Sequence, residues 1–367
     1  MSTRFSKVYK NKVVVVTGHT GFKGTWLCAW LRQLGARVIG ISDAIPTSPS
    51  HFESAKFSEH VEDHRIDIRD LRALKAAIEN AAPDFVFHLA AQPLVRRSYR
   101  LPTYTFETNI MGTANVLESL RSLEKRCCAI MITSDKCYDN QEWLWGYRET
   151  DRLGGKDPYS ASKAAAELVI RSYIASFFNN PDRYVRIATA RAGNVIGGGD
   201  WAEDRLVPDC MRAWSQGRNV EIRNPGATRP WQHVLDPLSG YLLLGAQLQI
   251  EPTLHGEAFN FGPPADYDFP VEAVMDAMTA KWPGATFSKS KNIATLLPEA
   301  GLLKLNCEKA IRHLHWYACL TFNETIDLTI NWYRKFYAGS TDMYTTTTEQ
   351  IAWHTKHAQS KGIEWAL

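Results

Sequence analysis

Lys12 to Val16 (KVVVV) runs straight into Thr17-Gly18-His19-Thr20-Gly21-Phe22-Lys23-Gly24, close to the start of the chain. A continuous apolar run bounded by turn residues reads as a strand buried on both faces. The next segment, Gly24 to Leu34, reads as a helix closed by Gly35. Glycines at such a turn let the backbone approach a pyrophosphate closely. Free N–H groups at the helix start, with the helix dipole, then hold the negative charge. The glycines alone would also suit a purely structural turn. Their place between a strand and a helix favours the phosphate reading.

The same rhythm continues. Ala36 to Ile41, Phe85 to Ala90, Ala129 to Thr133 and Val185 to Ala190 read as strands. Leu71 to Asn80, Ile110 to Leu120 and Ser160 to Phe177 read as the helices between them. Alternating strands and helices imply an α/β fold, a Rossmann-type doubly wound parallel sheet. After about residue 193 the rhythm breaks at Gly197 to Asp200 (GGGD), Asn224-Pro225-Gly226 and Gly262-Pro263-Pro264. Helices are still expected at Val271 to Lys281 and Asn323 to Phe336. We therefore expect an NAD-binding domain over 1–192, with a return segment near 234–262, and a smaller C-terminal α/β substrate-binding domain over 193–233 and 263–367. The Thr-rich tail after Gly339 reads as partly mobile.

Composition narrows the function classes. A chain of 367 residues with 45% hydrophobic residues has ample material for two cores. A net charge of +3 without a basic run does not suggest a nucleic-acid surface. No stretch of about 18 apolar residues exists to cross a membrane, and the polar start MSTRFSKVYKNK lacks a signal core. The seven cysteines form no CxxC pair, which suits reduced thiols in the cytoplasm. The eleven histidines form no metal pattern, so no metal is expected, and His313/His315 and His354/His357 read as structural or surface residues.

Asp43 follows the second strand. A carboxylate there can accept bonds from ribose hydroxyls and would repel a 2′-phosphate, and 40–50 holds no arginine. NAD is thus expected over NADP, unless Asp43 simply caps a loop. Asp67 and Ile68 are placed to flank the adenine. Tyr159 and Lys163 lie four apart at a helix start, hence on one face. An ammonium beside a phenol favours the phenolate, which can take a hydroxyl proton. Alone, this spacing is common by chance. The upstream glycine turn and a strand ending in Thr133-Ser134-Asp135 give it a context.

Thr17 to Gly24, His88 to Gln92 (HLAAQ), Thr108 to Thr113 (TNIMGT), Ser134, Tyr159 with Lys163, and Arg191 to Gly197 (RAGNVIG) occur in order. This succession resembles the extended short-chain dehydrogenases/reductases over residues 12 to about 240. Ser134-Asp135 and a longer insert resemble the nucleotide-sugar 4,6-dehydratase branch; the epimerases as a group lack an acid at 135. SDKCYDN (134–140), EWLWGYRE (142–149), GNVIGGGDWAEDRLVPD (193–209) and RNPGATRPWQHVLDPLSGY (223–241) are similar to the dehydratases of CDP-glucose.

The resemblance implies a tightly held NAD, contacted by Gly18, Thr20, Gly21, Phe22, Lys23, Gly24, Asp43, Asp67, Ile68, Leu89, Ala90, Ala91, Gln92, Asn109, Tyr159 and Lys163. It implies a redox-neutral lyase. Tyr159 takes the C4 hydroxyl proton, hydride passes from C4 to NAD, and Ser134 bonds the C4 oxygen. The ketone acidifies C5, Asp135 is general acid on the departing C6 hydroxyl, and hydride returns to C6. Many relatives carry a glutamate base where this chain has Lys136. Lys136 then serves either as a base or as an enolate stabiliser. A nucleoside-diphosphate hexose is expected against Gln92, Arg191, Asn194, Arg205, Arg229 and His233, with Trp201 or Trp231 stacking a base. Trp143, Trp145 and Tyr147 form either a lid, a subunit contact or, preferred slightly, a buried cluster. A homodimer or homotetramer is implied by the helices 110–123 and 160–177. The alternatives are another nucleotide-sugar dehydratase, an epimerase, or a non-catalytic dinucleotide-binding protein.

Overall fold

The computed structural model describes residues 4–179, 184–222, 224–264, 267–290, 302–339 and 342–367. Arg223, the first residue of the run 223–241 quoted above, lies outside them. Seven strands form one sheet in the order Ala258–Phe261, Val185–Ala192, Cys127–Ile132, Phe85–His88, Val13–Thr17, Arg37–Ser42, Glu62–Arg65. All neighbours pair in parallel. The strand order reverses next to Val13–Thr17, which puts a crevice at the carboxyl ends of the strands.

The apolar strands are continuous because alternate residues feed two cores. Val14, Val16, Phe85, Phe87 and Ile130 point to one face, against the helices Phe22–Gln33 and Leu235–Ile250. Val15, Val86, Ala129, Met131 and Ile187 point to the other, against Leu71–Ala81, Gly112–Arg121 and Pro158–Tyr173. Period-two alternation on a doubly covered sheet leaves no polar face, which is why KVVVV carries no pattern.

The expected strands and helices are present, with ends shifted by a few residues. The return segment near 234–262 is a nearly all-apolar helix, Leu235–Ile250, followed by the edge strand Ala258–Phe261. One expectation is overturned. The tail after Gly339 is ordered as the helix Met343–Ser360, capped by Asp342 through the Tyr344 and Thr345 N–H groups. That helix also packs on Phe22–Gln33, with Gln33 Nε2 donating to the Thr348 carbonyl at 2.8 Å. Its buried His354 lies over Trp365 and bonds Asp236 Oδ1 at 3.0 Å, so it ties the tail to the return helix. Among the described residues, one group of metal-ligand type gathers, Asp236, Cys319 and His354, and its atoms are already engaged by this bond and by the Cys319 N–H. All seven cysteines are free.

Three rings are locked neutral. Burial pushes His51, His88 and His233 down to about 3. Their native pKa lies below the unfolded value of about 6.5, so the unfolded chain binds protons that the native chain refuses. Stability is complete above that value and falls as pH drops from it towards 3. At pH 5 each ring is expected to cost about 2 kcal/mol. Urea midpoints at pH 7.5 and 5 check this; equal midpoints would show that the rings charge without penalty.

Candidate active site

The glycine turn is built by close approach of three backbone segments. Gly18 has φ of +76°, and a Cβ on it would stand 2.7 Å from the Ala90 nitrogen. A Cβ on Gly24 would stand 2.1 Å from the Gly18 oxygen. The helix Phe22–Gln33 starts at Gly21 with no side chain capping it, so its first N–H groups face the crevice. Thr17 Oγ1 accepts from the Ala90 N–H at 3.3 Å and bonds His88 Nδ1 at 2.7 Å; His88 Nε2 reaches Thr113 Oγ1 at 3.0 Å. This chain of bonds aligns the turn, the 89–91 loop and the helix Gly112–Arg121.

The expected ribose end is assembled, with its side chains partly committed. Asp43 is exposed after Arg37–Ser42 and accepts from the Ala44 N–H at 2.8 Å. Arg65 lies beside Ser42 in register, yet it pairs with Asp63 at 2.6 Å and covers Phe52. Asp67 is gripped by Arg69, which holds its carboxyl below the usual range. Ile68 is buried where a Cβ on Gly112 would meet it. Thr20 donates to the Ala44 carbonyl at 2.7 Å. Gln92 and Asn109 brace the fold. Asn109 bonds the Gln92 backbone and Ser162 Oγ, while the Gln92 amide bonds Leu94 and Thr105.

The catalytic candidates converge. Ser134 ends the strand Cys127–Ile132 and opens the turn Asp135–Cys137, where Lys136 stands with its N–H on Ser134 Oγ at 3.2 Å. Ser134 Oγ donates to Asp135 Oδ1 at 2.9 Å, and the Ser134 hydroxyl favours the Tyr159 phenolate. Asp157 caps the helix Pro158–Tyr173, which presents Tyr159 and Lys163 one turn apart, both buried. Burial pushes the Tyr159 phenol up to about 12, with Ser134 opposing, and pushes Lys163 down to about 8. The expectation of a lowered phenol is therefore reversed in this structure, because desolvation outweighs the favourable neighbours. Lys23 is also driven by burial to about 8; it lies 3.4 Å from Tyr241 Oη and in electrostatic reach of Asp135, Lys163 and Arg205. Tyr241 comes from the return helix; it closes the run 223–241 that carried the resemblance, but was not singled out as a site residue.

The nucleotide end divides. Arg205 immediately precedes the helix Leu206–Trp214 without capping it, pairs with Asp200 at 2.7 Å and lies in reach of Tyr159. Asn194 is half-buried in the loop after Val185–Ala192, and a Cβ on neighbouring Gly193 would stand 3.2 Å from Asp135 Oδ2. Arg229 is half-buried and donates to the Thr228 carbonyl. Four expected ligands do not reach the crevice. Arg191 is fully buried, forked onto Glu167 and bonded to Tyr138 and the Glu149 carbonyl. His233 is enclosed beside Trp26. Trp201 is packed among Trp332, Tyr333 and Phe336, and Trp231 is buried with its N–H on the Phe269 carbonyl. In each case core packing takes the surface that a ligand needs. The aromatic loop also splits: Tyr147 is buried between Tyr138 and Trp143, whereas Trp145 is 73% exposed, against the preferred burial.

The model of the NAD dependent epimerase/dehydratase family matches residues 14–262. The chain belongs to that family. A curated relative, the CDP-glucose 4,6-dehydratase of Salmonella typhimurium, is 45% identical over 94% of this chain and 96% of its own. The dTDP-glucose 4,6-dehydratase of Xanthomonas campestris is 24% identical over 87% of this chain and 92% of its own. Among solved structures, the UDP-glucose-4-epimerase of Stenotrophomonas maltophila superposes with a TM-score of 0.76 at 21% identity, covering 90% of this chain and 100% of that one. The dTDP-glucose 4,6-dehydratase of Streptomyces venezuelae gives 0.72 at 21%, covering 90% and 99%. NAD is the cofactor of this epimerase/dehydratase chain, and the turn at Gly18, Gly21 and Gly24 has the uncapped N–H groups and the missing side chains that its pyrophosphate requires.

Gly18→Ala is expected to force a Cβ against the Ala90 backbone at a positive φ, costing about 1–3 kcal/mol and weakening NAD binding by roughly tenfold or more. Calorimetric NAD titration and a urea melt of the variant check both parts; unaltered affinity would detach the turn from the cofactor.

Proposed function

We propose that this enzyme dehydrates CDP-glucose to CDP-4-dehydro-6-deoxyglucose, as a step towards a deoxysugar for surface polysaccharide. The observation that carries the reading is the buried cluster of Ser134, Asp135, Tyr159 and Lys163 in a chain so similar, end to end, to a CDP-glucose 4,6-dehydratase. An epimerase expels no C6 oxygen and so has no use for an acid beside Ser134; here Asp135 is buried next to the tyrosine base.

Each residue has a task. Tyr159 takes the proton from the sugar's C4 hydroxyl, and Ser134 steadies that oxygen. With its pKa near 8, Lys163 is still mostly ammonium at neutral pH, and it orients the nicotinamide ribose. Bound NAD supplies the hydride chemistry, accepting from C4 and giving back at C6. Lys136, beside Ser134, receives the C5 proton or stabilises the enolate. Asp135 protonates the C6 hydroxyl as it leaves. Arg205 and Asn194 are proposed for the diphosphate, with Arg229 beyond them.

Incubation with CDP-, TDP-, GDP- and UDP-glucose, read by mass loss of water and by the alkaline absorbance of the 4-keto product, tests the reading. CDP-glucose should turn over fastest. Tyr159→Phe should abolish turnover with NAD still bound. Asp135→Asn should slow water loss more than C4 oxidation, so that rapid quenching recovers CDP-4-ketoglucose. Equal loss of both steps would remove Asp135 as the specific acid.

We also propose a homo-oligomer built on the helices Gly112–Arg121 and Pro158–Tyr173. Leu168 is 57% exposed and Met111 55% exposed on that side, with Phe106 and Phe177 also open. Leu168→Glu should shift the sedimentation of the wild-type assembly towards the monomer; an unmoved boundary would place the contact elsewhere.

A further inference from the structure

Three neighbouring strands share the carboxyl edge of the sheet where the acid–base cluster sits. Cys127–Ile132 leads to Ser134, with Phe85–His88 on one side and Val185–Ala192 on the other. The chain after Phe85–His88 forms the short helix Val95–Arg100. The chain after Val185–Ala192 runs on through a loop that ends at Arg205. These two segments meet. Arg96 Nη1 donates to Asp204 Oδ1 at 2.7 Å, joining positions 108 residues apart. Asp209, the other acid in electrostatic reach of Arg96, is paired with Arg212.

Each end of that ion pair is tied to a group with a task in the site. On the short helix, Ser98 Oγ donates to the Val95 carbonyl at 2.6 Å and accepts the Tyr159 N–H at 3.2 Å. That N–H is one that a helix start leaves without an internal partner, so Val95–Arg100 is docked on the tyrosine. At the other end, Asp204 is the chain neighbour of Arg205. Asp204 has a φ of +60°, a left-handed backbone that is costly for a residue with a side chain. Its carboxylate is held there by Arg96. Arg205 Nη1 donates to Oδ2 of the buried Asp200 at 2.7 Å, and Asp200 Oδ1 takes the Ala202 N–H at 3.0 Å. The Asp200 carbonyl accepts from Tyr333 Oη on the helix Phe322–Ala338. The loop is therefore anchored to the C-terminal helices through Asp200 and to the tyrosine side of the site through Asp204.

We propose that Arg96 and Asp204 are positioning residues, whose ion pair clasps the two segments together and sets the distance from Arg205 to Tyr159. A diphosphate held by Arg205 then presents the sugar's C4 hydroxyl to the tyrosine, because the pyranose ring keeps C4 at a fixed distance from C1. Both side chains of the pair are partly exposed, and such pairs contribute little to stability. The effect is expected in alignment, where small displacements of a bound substrate are costly to rate. The inference rests on the dehydration reading, with Arg205 at the diphosphate, and adds the contact that sets the reach of the site.

Steady-state kinetics with CDP-glucose, beside calorimetric titration with CDP, test the clasp. Asp204→Gly keeps the left-handed backbone without strain and removes the carboxylate. In Arg96→Ala and in Asp204→Gly, kcat should fall on the order of tenfold. CDP affinity should change by less than about threefold, because Arg205 keeps Asp200 as its partner. The double variant should fall no further than the worse single one, since each removes the same contact. Asp204→Asn also tolerates the left-handed backbone and is a second charge-free probe should the glycine variant not fold. Additive losses, or a kcat unchanged in both single variants, overturn the clasp. So does a CDP affinity that falls in Arg96→Ala alone, which would make Arg96 itself a diphosphate ligand. Failure of the wild type to release water from CDP-glucose would instead overturn the dehydration reading.

Discussion

The buried fork between Arg191 and Glu167 ties together the strand end, helix and loop that carry Ser134, Tyr159 and Lys163. Arg191 leaves the sheet on the strand Val185–Ala192, and Glu167 stands one turn beyond Lys163 on the helix Pro158–Tyr173. Glu167 also accepts from Thr133 Oγ1 at 2.6 Å, immediately before Ser134. Arg191 goes on to Tyr138 and to the Glu149 carbonyl, holding the 138–149 loop. Removing one partner of such a pair leaves a buried charge without compensation, which is why the set behaves as a unit. Strand end, helix and loop are thus aligned by one guanidinium, and Ser134, Tyr159 and Lys163 inherit their geometry from it.

That geometry sets up a contest between desolvation and charge. Burial raises the Tyr159 phenol to about 12 and lowers Lys163 and Lys23 to about 8. A closed crevice strengthens each neighbouring charge as it penalises each group's own ionisation.

Much of this was legible from residue order. The glycine turn, the parallel strands and the pairing of Tyr159 with Lys163 follow from local rules of backbone sterics and helix periodicity, which depend on near neighbours in the chain. Asp135 beside Ser134 was legible for the same reason. The long helix Leu235–Ile250 was not, because an all-apolar run has no period to read. The Thr-rich tail misled because threonine's weak helix propensity was overridden by packing against Phe22–Gln33 and by the Asp342 cap. Arg191, His233 and Trp201 looked like ligands because their side chains suit phosphates and bases. Nothing local distinguishes a guanidinium that faces a crevice from one forked onto a buried glutamate.

By itself the sequence determined the kind of sheet, the place of the glycine turn and which side chains are candidates for acid and base chemistry, since each rests on contacts a few residues long. Only the tertiary structure decided which cations and rings are spent inside the core, and that Lys23 and Tyr241 stand in electrostatic reach of Asp135. Those outcomes join residues dozens or hundreds of positions apart, and desolvation, which sets their charge, exists only once the chain has closed around them.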